Sequence, residues 1–251
     1  DPRMITAPAG KFLTSISHFR VAGSDDGVNF RISDKPAFAP ATRYESFGVE
    51  DPRITKIGDI YYITYVAVSP AGVTTALAST RDFKSFTRHG IIFCPENKDV
   101  TIFGERINGK FYALHRPVTP LFGKYEIWLA QSPDLICWGN HRHIMSTQPA
   151  LWDSLRIGPS AVPFRIDEGW LEIYHGVDEN LRYCLGAVLL DVESRPAGTF
   201  KVLARSQKPI LAPQADYELK GFFTDVVFNC GLLCEDDTLK LGFSVTGVAH
   251  P

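Results

Sequence analysis

A nine-residue pattern, clearest as ASTRDFKSF at residues 78–86, decides how this chain folds. It consists of an Ala, a Ser or Thr two positions later, an Asp four positions later and an aromatic residue eight positions later. Further copies occur at residues 22–30 (AGSDDGVNF) and 130–138 (AQSPDLICW), so consecutive copies begin 56 and 52 residues apart. A period of this size is typical of repeat architectures. We expect the Ser or Thr and the Asp to hold a turn through hydrogen bonds between side chain and backbone.

A second pattern lies between these copies: a short strand, a turn with a Gly and a polar residue, and an aromatic-rich strand. Its copies occupy residues 53–65, 106–115, 165–175 and, more weakly, 232–243. This order is the signature of a β-hairpin. Units of about four strands, repeated along the chain, are typical of a β-propeller. We therefore predict an all-β fold, a five-bladed β-propeller formed as one domain by residues 1–251.

The composition excludes several other classes of protein. Hydrophobic residues make up 45% and charged residues 22% of the chain, as in ordinary globular proteins. The net charge of −2 gives no reason to expect binding to nucleic acid or to an anionic membrane. No apolar run reaches the ~18 residues of a membrane span, and no leader is visible, so we expect a cytoplasmic protein. The cysteines are odd in number and scattered, so we expect reduced, mostly buried thiols at Cys94, Cys137, Cys184, Cys230 and Cys234.

The strongest local sign of chemistry is the run FGVEDPR at residues 47–53. Its adjacent carboxylates, Glu50 and Asp51, stand at the entrance to a predicted strand. Pro52 favours an extended conformation for Asp51, and an extended strand points neighbouring side chains to opposite faces. We therefore expect only one of the two carboxylates to face the central channel. The structural alternative is a turn that contains a salt bridge to Arg53.

Cationic side chains form a second signal, and they recur near the hairpins of successive units. Cations that converge in the channel of a protein with net charge −2 would form a local anion site, for phosphate or a carboxylate. Each of them taken alone is better explained as an exposed or salt-bridged residue, so the prediction of an anion site depends on the four together. The candidates are Lys98, Arg116, Arg156 and His175.

Taken together, four runs of the sequence resemble glycoside hydrolase family 130. They are GVEDPR at residues 48–53, FGERINGK at 103–110, HRP at 115–117 and YHG at 174–176, and the resemblance extends from about residue 18 to residue 243. Members of this family are five-bladed propellers that act on β-mannosides, mostly as phosphorylases and in some branches as hydrolases. The resemblance implies a mannose-containing oligosaccharide as substrate, inorganic phosphate as co-substrate, and neither a cofactor nor a metal.

The same resemblance implies roles for individual residues. Asp51 would be the catalytic acid, which delivers its proton through the 3-hydroxyl of the mannosyl residue. Phosphate would then attack the anomeric carbon from the opposite face, giving α-mannose 1-phosphate with inversion. The implied phosphate ligands are Lys98, Arg116, Arg156 and His175. The implied substrate-binding residues are Glu50, Arg53, Asp99, Glu105 and Tyr174.

Three of these positions differ from the family pattern. Lys98 replaces an Arg, Asp99 replaces an Asn, and Glu105 replaces a Pro. Asp99 would repel an anion unless Lys98 or Arg116 neutralises it. The ends also differ: the chain begins inside or just after the family's first blade, so we expect a shortened N-terminal blade. Near the other end, residues 242–247 (GFSVTG) lack an Asp that contacts sugar in the family.

Three functions remain open at this point. The favoured one is an inverting β-mannoside phosphorylase, which needs one acid and a cationic site. The second is a β-mannosidase, which needs another carboxylate about 6.5–9.5 Å from the acid to activate water. The third is a sugar-binding propeller with little activity, and in each case we expect a monomer or small homo-oligomer. The candidate bases for the hydrolase are Asp99, Glu105, Asp153 and Asp178.

Overall fold

Strands form almost all of the regular structure in this computed structural model, which describes residues 4–13, 15–118, 121–191, 200–220, 223–235 and 238–244. The first strands are β1 (Met4–Ala7), β2 (Gly10–Leu13), β3 (Ala22–Gly23), β4 (Arg31–Ile32), β5 (Gly48–Ile57), β6 (Ile60–Ser69), β7 (Gly72–Thr80) and β8 (Thr87–Phe93). They are followed by β9 (Asn97–Ile102), β10 (Phe111–Pro117), β11 (Ile127–Ser132), β12 (Gly139–Met145), β13 (Arg156–Pro159), β14 (Phe164–Ile166), β15 (Gly169–Val177), β16 (Tyr183–Asp191), β17 (Lys201–Arg205), β18 (Phe228–Glu235) and β19 (Thr238–Ser244). The described helices are a 3-10 turn at Arg43–Glu45 and α1 at Asp216–Leu219.

Most strands belong to three antiparallel sheets that follow one another along the chain. The first sheet has the order β5-β6-β7-β8, and the second has the order β9-β10-β11-β12. The third has the order β13-β15-β16-β17, with β14 also paired to β15. Two-stranded sheets are formed by β1-β2, β3-β4 and β18-β19. The prediction of an all-β chain is therefore confirmed.

The predicted hairpins correspond to β5-β6, β14-β15 and β18-β19; residues 236–237 of the last turn lie outside the described part. The hairpin predicted over residues 106–115 differs from the structure. There β10 pairs with β9, and the turn contributes only an isolated bridge between Ile107 and Lys110. Residues 107–110 form a tight turn between β9 and β10 and are not part of the β9-β10 ladder.

The repeated Ser/Thr and Asp hold turns, as predicted. In the third copy, Oγ of Ser132 accepts hydrogen bonds from the backbone N–H groups of Asp134 and Leu135 at 3.2 and 2.8 Å. A carboxylate oxygen of Asp134 accepts from the N–H groups of Ile136 and Cys137. The copies at residues 22–30 and 78–86 repeat this arrangement. Their role is structural.

The core lies between successive sheets, because each sheet buries apolar side chains on both faces. One cluster joins the first and second sheets and includes Leu77, Ile92, Ile102 and Phe111. Another joins the second and third sheets and includes Leu114, Ile127, Ile157 and Trp170. The first strands of the sheets meet, since β9 contacts β5 and β13, and β18 contacts β5. This meeting point positions the candidate site.

The structure also bears on the predictions about the cysteines and about membrane spans. All five cysteines are free thiols, but the expectation that most are buried is wrong: Cys94, Cys137 and Cys234 are exposed, because they lie in a loop, a turn and a two-stranded sheet. Among the described residues, no helix is long and apolar enough to cross a membrane.

Candidate active site

Residues from five strands converge where the first strands of the sheets meet. β5 supplies two of them, β9 two, and β10, β13 and β15 one each. The ladders β5-β6 and β9-β10 are both irregular at these residues, and bulges of this kind are common beside active sites, where they redirect side chains. The convergent residues are Asp51, Arg53, Lys98, Asp99, Arg116, Arg156 and His175.

Asp51 does not have the extended conformation expected before a proline. Its φ is +50°, in the left-handed region, and the register of β5 against β6 shifts between Glu50 and Arg53. The rule that neighbouring side chains of a strand point to opposite faces therefore does not hold here. Glu50 accepts a hydrogen bond from the hydroxyl of Ser17 at 3.2 Å.

The carboxyl group of Asp51 is suited to hold a proton. Burial raises its pKa above the ordinary value, and the cations Arg53 and Lys98 oppose this effect without cancelling it. The negative charges of Asp99 and Glu50 raise the pKa further. A carboxyl group with a raised pKa is the form that general acid catalysis requires.

Asp99 is the electrostatic centre of the site. Its Oδ2 lies 2.6 Å from Nε of Arg116, its Oδ1 lies 3.1 Å from Nη2 of Arg53, and Nε2 of His175 is 3.7 Å from Oδ2. Burial alone would raise the pKa of Asp99, but Arg116 and Arg53 outweigh it and hold the pKa well below its usual range. The expected neutralisation by Arg116 is therefore present, and Arg53 contributes as well.

Arg53 is buried and fixes the backbone around the site. Its Nε donates to the carbonyl oxygen of Ser160 at 3.1 Å, and its Nη1 donates to the carbonyl oxygen of Asp51 at 3.1 Å. Its Nη2 also donates to the carbonyl oxygen of Pro159 at 3.3 Å. The guanidinium group lies 5.7 Å from the ring centroid of Phe228. Arg53 thus ties β5 to β13, which is a structural task.

Three cations retain unused capacity to bind an anion. Within the described residues, the side chain of Lys98 is half-buried and makes no hydrogen bond or ion pair, although its charge acts on Asp51 and Asp99. Nε of Arg156 is buried without a hydrogen-bond partner there, and its guanidinium group lies 5.2 Å from the centroid of Tyr183. In the described part of the chain, the Arg116 side chain donates a hydrogen bond only from Nε, toward Asp99, and its guanidinium group lies 5.6 Å from the ring centroid of Tyr125.

His175 belongs to the site but is neutral. Burial lowers its pKa to about 3, and the three arginines around it act in the same direction, against the opposing effect of Asp99. Its expected contribution as a cation is therefore not supported. A neutral imidazole can still donate one hydrogen bond to an anion, through an N–H group instead of through a charge.

Two predicted substrate-binding residues lie outside this cluster. Glu105 is exposed and pairs with Arg165 at 3.2 Å. Tyr174 is fully buried; its hydroxyl donates to Asp153 at 2.9 Å and accepts from Nε of Arg205 at 3.0 Å. The carboxylate of Glu105 and the hydroxyl of Tyr174 therefore already have protein partners, and Tyr174 has no exposed surface that a sugar could contact.

Sequence reasoning missed two residues that support the site. Ser160 is completely buried, and its Oγ lies 2.8 Å from Nδ1 of His175. Glu172 is equally buried; burial raises the pKa of its carboxyl well above the ordinary value. Glu172 could have been noticed in the sequence, because a charged residue inside an aromatic-rich strand is unusual. Nothing in the sequence around Ser160 indicates a role in the site. Within the described chain, no group of three or more His, Cys, Asp and Glu residues could hold a metal.

The comparisons with known proteins identify the class. A family model described as beta-1,4-mannooligosaccharide phosphorylase matches residues 12–249, so the chain belongs to glycoside hydrolase family 130. It is 49% identical over 249 residues to a beta-1,2-mannobiose phosphorylase of Listeria innocua, covering 98% of this chain and 69% of that protein. It is 39% identical to a 1,2-beta-oligomannan phosphorylase of Thermoanaerobacter, covering 96% of this chain and 81% of that protein.

A solved structure agrees with this assignment. The Listeria innocua beta-1,2-mannobiose phosphorylase in complex with beta-1,2-mannobiose superposes with a TM-score of 0.92. The superposition covers 98% of this chain and 70% of that chain, at 49% sequence identity.

Proposed function

We propose that this protein catalyses the inverting phosphorolysis of β-1,2-linked mannobiose and oligomannan and releases α-mannose 1-phosphate. The observation that carries the proposal is the arrangement of the site: Asp51, an acid with a raised pKa, belongs to the same cluster as Lys98, Arg116 and Arg156, three cations with unused donor capacity. Such a site provides a proton for the leaving group and a place for an anionic nucleophile.

In this proposal Asp51 is the acid. Its raised pKa keeps a proton available, and the route through the 3-hydroxyl of the mannosyl residue needs only one carboxyl group. Glu50, next to it on the bulge, is partly exposed and is proposed to contact the sugar. Arg53 and Asp99 are buried and engaged with each other and with neighbouring groups, so we propose that they support the sugar site from behind instead of contacting the sugar.

Phosphate is proposed to bind to Lys98, Arg116, Arg156 and His175. It is already ionised at neutral pH, so it needs no base, and charge-assisted hydrogen bonds to guanidinium groups orient it well. Asp99 does not repel it, because Arg116 and Arg53 compensate its charge on both oxygens.

The four carboxylates that the sequence suggests as the base of a hydrolase are all engaged. Asp99 is paired with two arginines, and Glu105 is paired with Arg165. Asp153 is completely buried and binds Arg205 and Tyr174. Asp178 accepts backbone N–H groups in a turn. This supports phosphate rather than water as the nucleophile.

The names of the relatives support one linkage over the other. The proteins named for β-1,2-linked substrates are 39–49% identical to this chain, whereas a beta-1,4-mannooligosaccharide phosphorylase of Ruminococcus albus is 34% identical. We therefore propose the β-1,2 linkage, although the description of the family model names the β-1,4 linkage.

We also propose that the three large sheets are blades of one five-bladed propeller formed by residues 1–251. The support is the sequence of antiparallel four-stranded ladders and the meeting of their first strands. The cytoplasmic location and the monomeric or small oligomeric state stay predictions; residues 245–247 of the altered C-terminal stretch lie outside the described residues.

The test is an assay on β-1,2-mannobiose and, as a matched substrate, β-1,4-mannobiose, each with and without inorganic phosphate. We expect mannose 1-phosphate only with phosphate, and faster from the β-1,2-linked disaccharide. Free mannose at a phosphate-independent rate would identify a β-mannosidase. Disaccharide binding without either product would identify a sugar-binding protein.

A further inference from the structure

We infer that Ser160 is a positioning residue of this site: its hydroxyl donates to Nδ1 of His175 and so keeps the ring proton on Nε2, which faces the anion site. The inference rests on the proposed function, because the anion that Nε2 would meet is the proposed phosphate.

The backbone of Ser160 is fixed from two sides. Its carbonyl oxygen accepts a hydrogen bond from Nε of Arg53 at 3.1 Å, and its N–H group donates to Oε1 of Glu172 at 2.9 Å. All three residues are at most 1% exposed. The hydroxyl therefore has a defined position, and it lies 2.8 Å from Nδ1 of His175.

The surroundings of His175 select one tautomer. A neutral imidazole carries its proton on one nitrogen and a lone pair on the other. Nε2 lies 3.7 Å from Oδ2 of Asp99, a carboxylate that Arg116 and Arg53 keep ionised. A lone pair on Nε2 would face that negative charge and the incoming anion, whereas an N–H group there is attracted to both.

The other ring nitrogen then needs a donor, and Ser160 provides it. A serine hydroxyl can donate or accept, so it would also fit a proton on Nδ1. The charge on the Nε2 side decides between the two arrangements. Gly158 leaves room for the ring in this position, because a Cβ atom there would lie 2.5 Å from Cε1 and 2.7 Å from Nε2 of His175.

The first experiment reads the tautomer in the wild-type protein. Two-bond 1H–15N correlation spectra of 15N-histidine-labelled protein distinguish a protonated ring nitrogen from an unprotonated one, and His175→Gln assigns the signals. We expect the Nε2–H form, with the Nε2 signal shifting when inorganic phosphate is added. A proton on Nδ1, or no shift of Nε2 up to saturating phosphate, would overturn the inference.

The second experiment is a kinetic cycle. Ser160→Ala should raise the KM for phosphate about tenfold, as expected for one weakened hydrogen bond to a charged group, and leave the KM for mannobiose unchanged. In a His175→Ala background the same substitution should add nothing, because Ser160 acts through His175. Equal effects on both KM values, or an undiminished effect in that background, would contradict the inference.

The control is Ser132→Ala, which removes an equally buried hydroxyl from a repeat turn and should leave the KM for phosphate unchanged. A protein without phosphorolysis would contradict the proposed function, while the tautomer in the wild-type spectrum would still decide the role of Ser160.

Discussion

Nε of Arg116 lies 2.6 Å from Oδ2 of Asp99, and both side chains are buried. This pair explains how an aspartate can stand inside a proposed phosphate site. Arg53 binds the other carboxylate oxygen at 3.1 Å, so the negative charge is compensated from both sides. Arg116 therefore has two tasks: it neutralises Asp99 and, with its remaining N–H groups, is proposed to bind phosphate.

Removal of Arg116 should affect phosphate more than sugar. We expect Arg116→Ala to raise the KM for phosphate by about 10- to 100-fold, with a smaller change for mannobiose. It should also destabilise the fold by about 3–5 kcal/mol, because Asp99 loses a buried partner. Arg31→Ala is the matched control, since Arg31 pairs with Asp25 at the surface. Equal changes in both KM values would contradict the assignment of Arg116 to the anion site.

Asp51→Asn should abolish turnover without unfolding the protein. Asparagine tolerates the left-handed backbone of this position. Because the pKa of Asp51 is raised in the folded state, its contribution to stability is present at low pH and is lost as the pH rises through the folded pKa. The neutral amide of Asn avoids the free-energy cost of an ionised buried carboxylate, so the variant should melt at the same or a higher temperature at neutral pH. Retained activity would exclude Asp51 as the acid; Asp59→Asn, in an exposed turn, is the control.

Gly158→Ala should reduce activity by displacing the ring of His175. A Cβ atom at position 158 would lie 2.7 Å from Nε2 of His175 and 2.8 Å from Oδ2 of Asp99, so both side chains must move. We expect a loss of kcat/KM for phosphate of at least about tenfold, with the strand content unchanged by circular dichroism. Gly139→Ala is the control, because nothing lies within 4 Å of a Cβ atom there. If Gly158→Ala had the kinetic constants of the wild type, the position of the His175 ring would not be important for catalysis.

Asp99 should make the fold sensitive to acid. A carboxyl group whose pKa is lowered in the folded state stabilises the fold above its ordinary pKa of about 3.9, and this contribution is lost as the pH falls through the folded value. The wild-type free energy of unfolding should therefore decrease below about pH 4. Asp99→Asn should be less stable at pH 7, and its difference from wild type should shrink as the pH falls. Urea unfolding at several pH values measures this, and a difference independent of pH would contradict it.

The repeat turns should contribute to stability and not to catalysis. Ser132→Ala removes the acceptor of two backbone N–H groups, which should cost about 1–2 kcal/mol. Its kcat and both KM values should equal those of the wild type. A kinetic defect at unchanged stability would show that the turn has a role in the site.

Much of the fold was predictable because the repeat is local chemistry. The Ser/Thr and Asp of each copy bind backbone groups within three residues, so their spacing alone specifies a turn. Hairpins are equally local. The conformation of Asp51 was not predictable, because it lies in a bulge. The bulge depends on the register between β5 and β6, and that register is set by the whole ladder.

The candidate site was predicted in part. Motif positions indicated the residues around Asp99, but not the neutrality of His175, which depends on burial by distant strands. Glu105 and Tyr174 stand in the expected motifs, yet their partners Arg165 and Arg205 come from distant parts of the sequence. Ser160 gave no signal, since a single serine is found in every kind of environment.

The most direct test of the central claim is a 1H and 31P NMR time course of β-1,2-mannobiose with the purified protein and inorganic phosphate. The proposed mechanism predicts α-mannose 1-phosphate as the first product, formed only when phosphate is present and absent with Asp51→Asn. The β-anomer, or free mannose released at the same rate without phosphate, would contradict it.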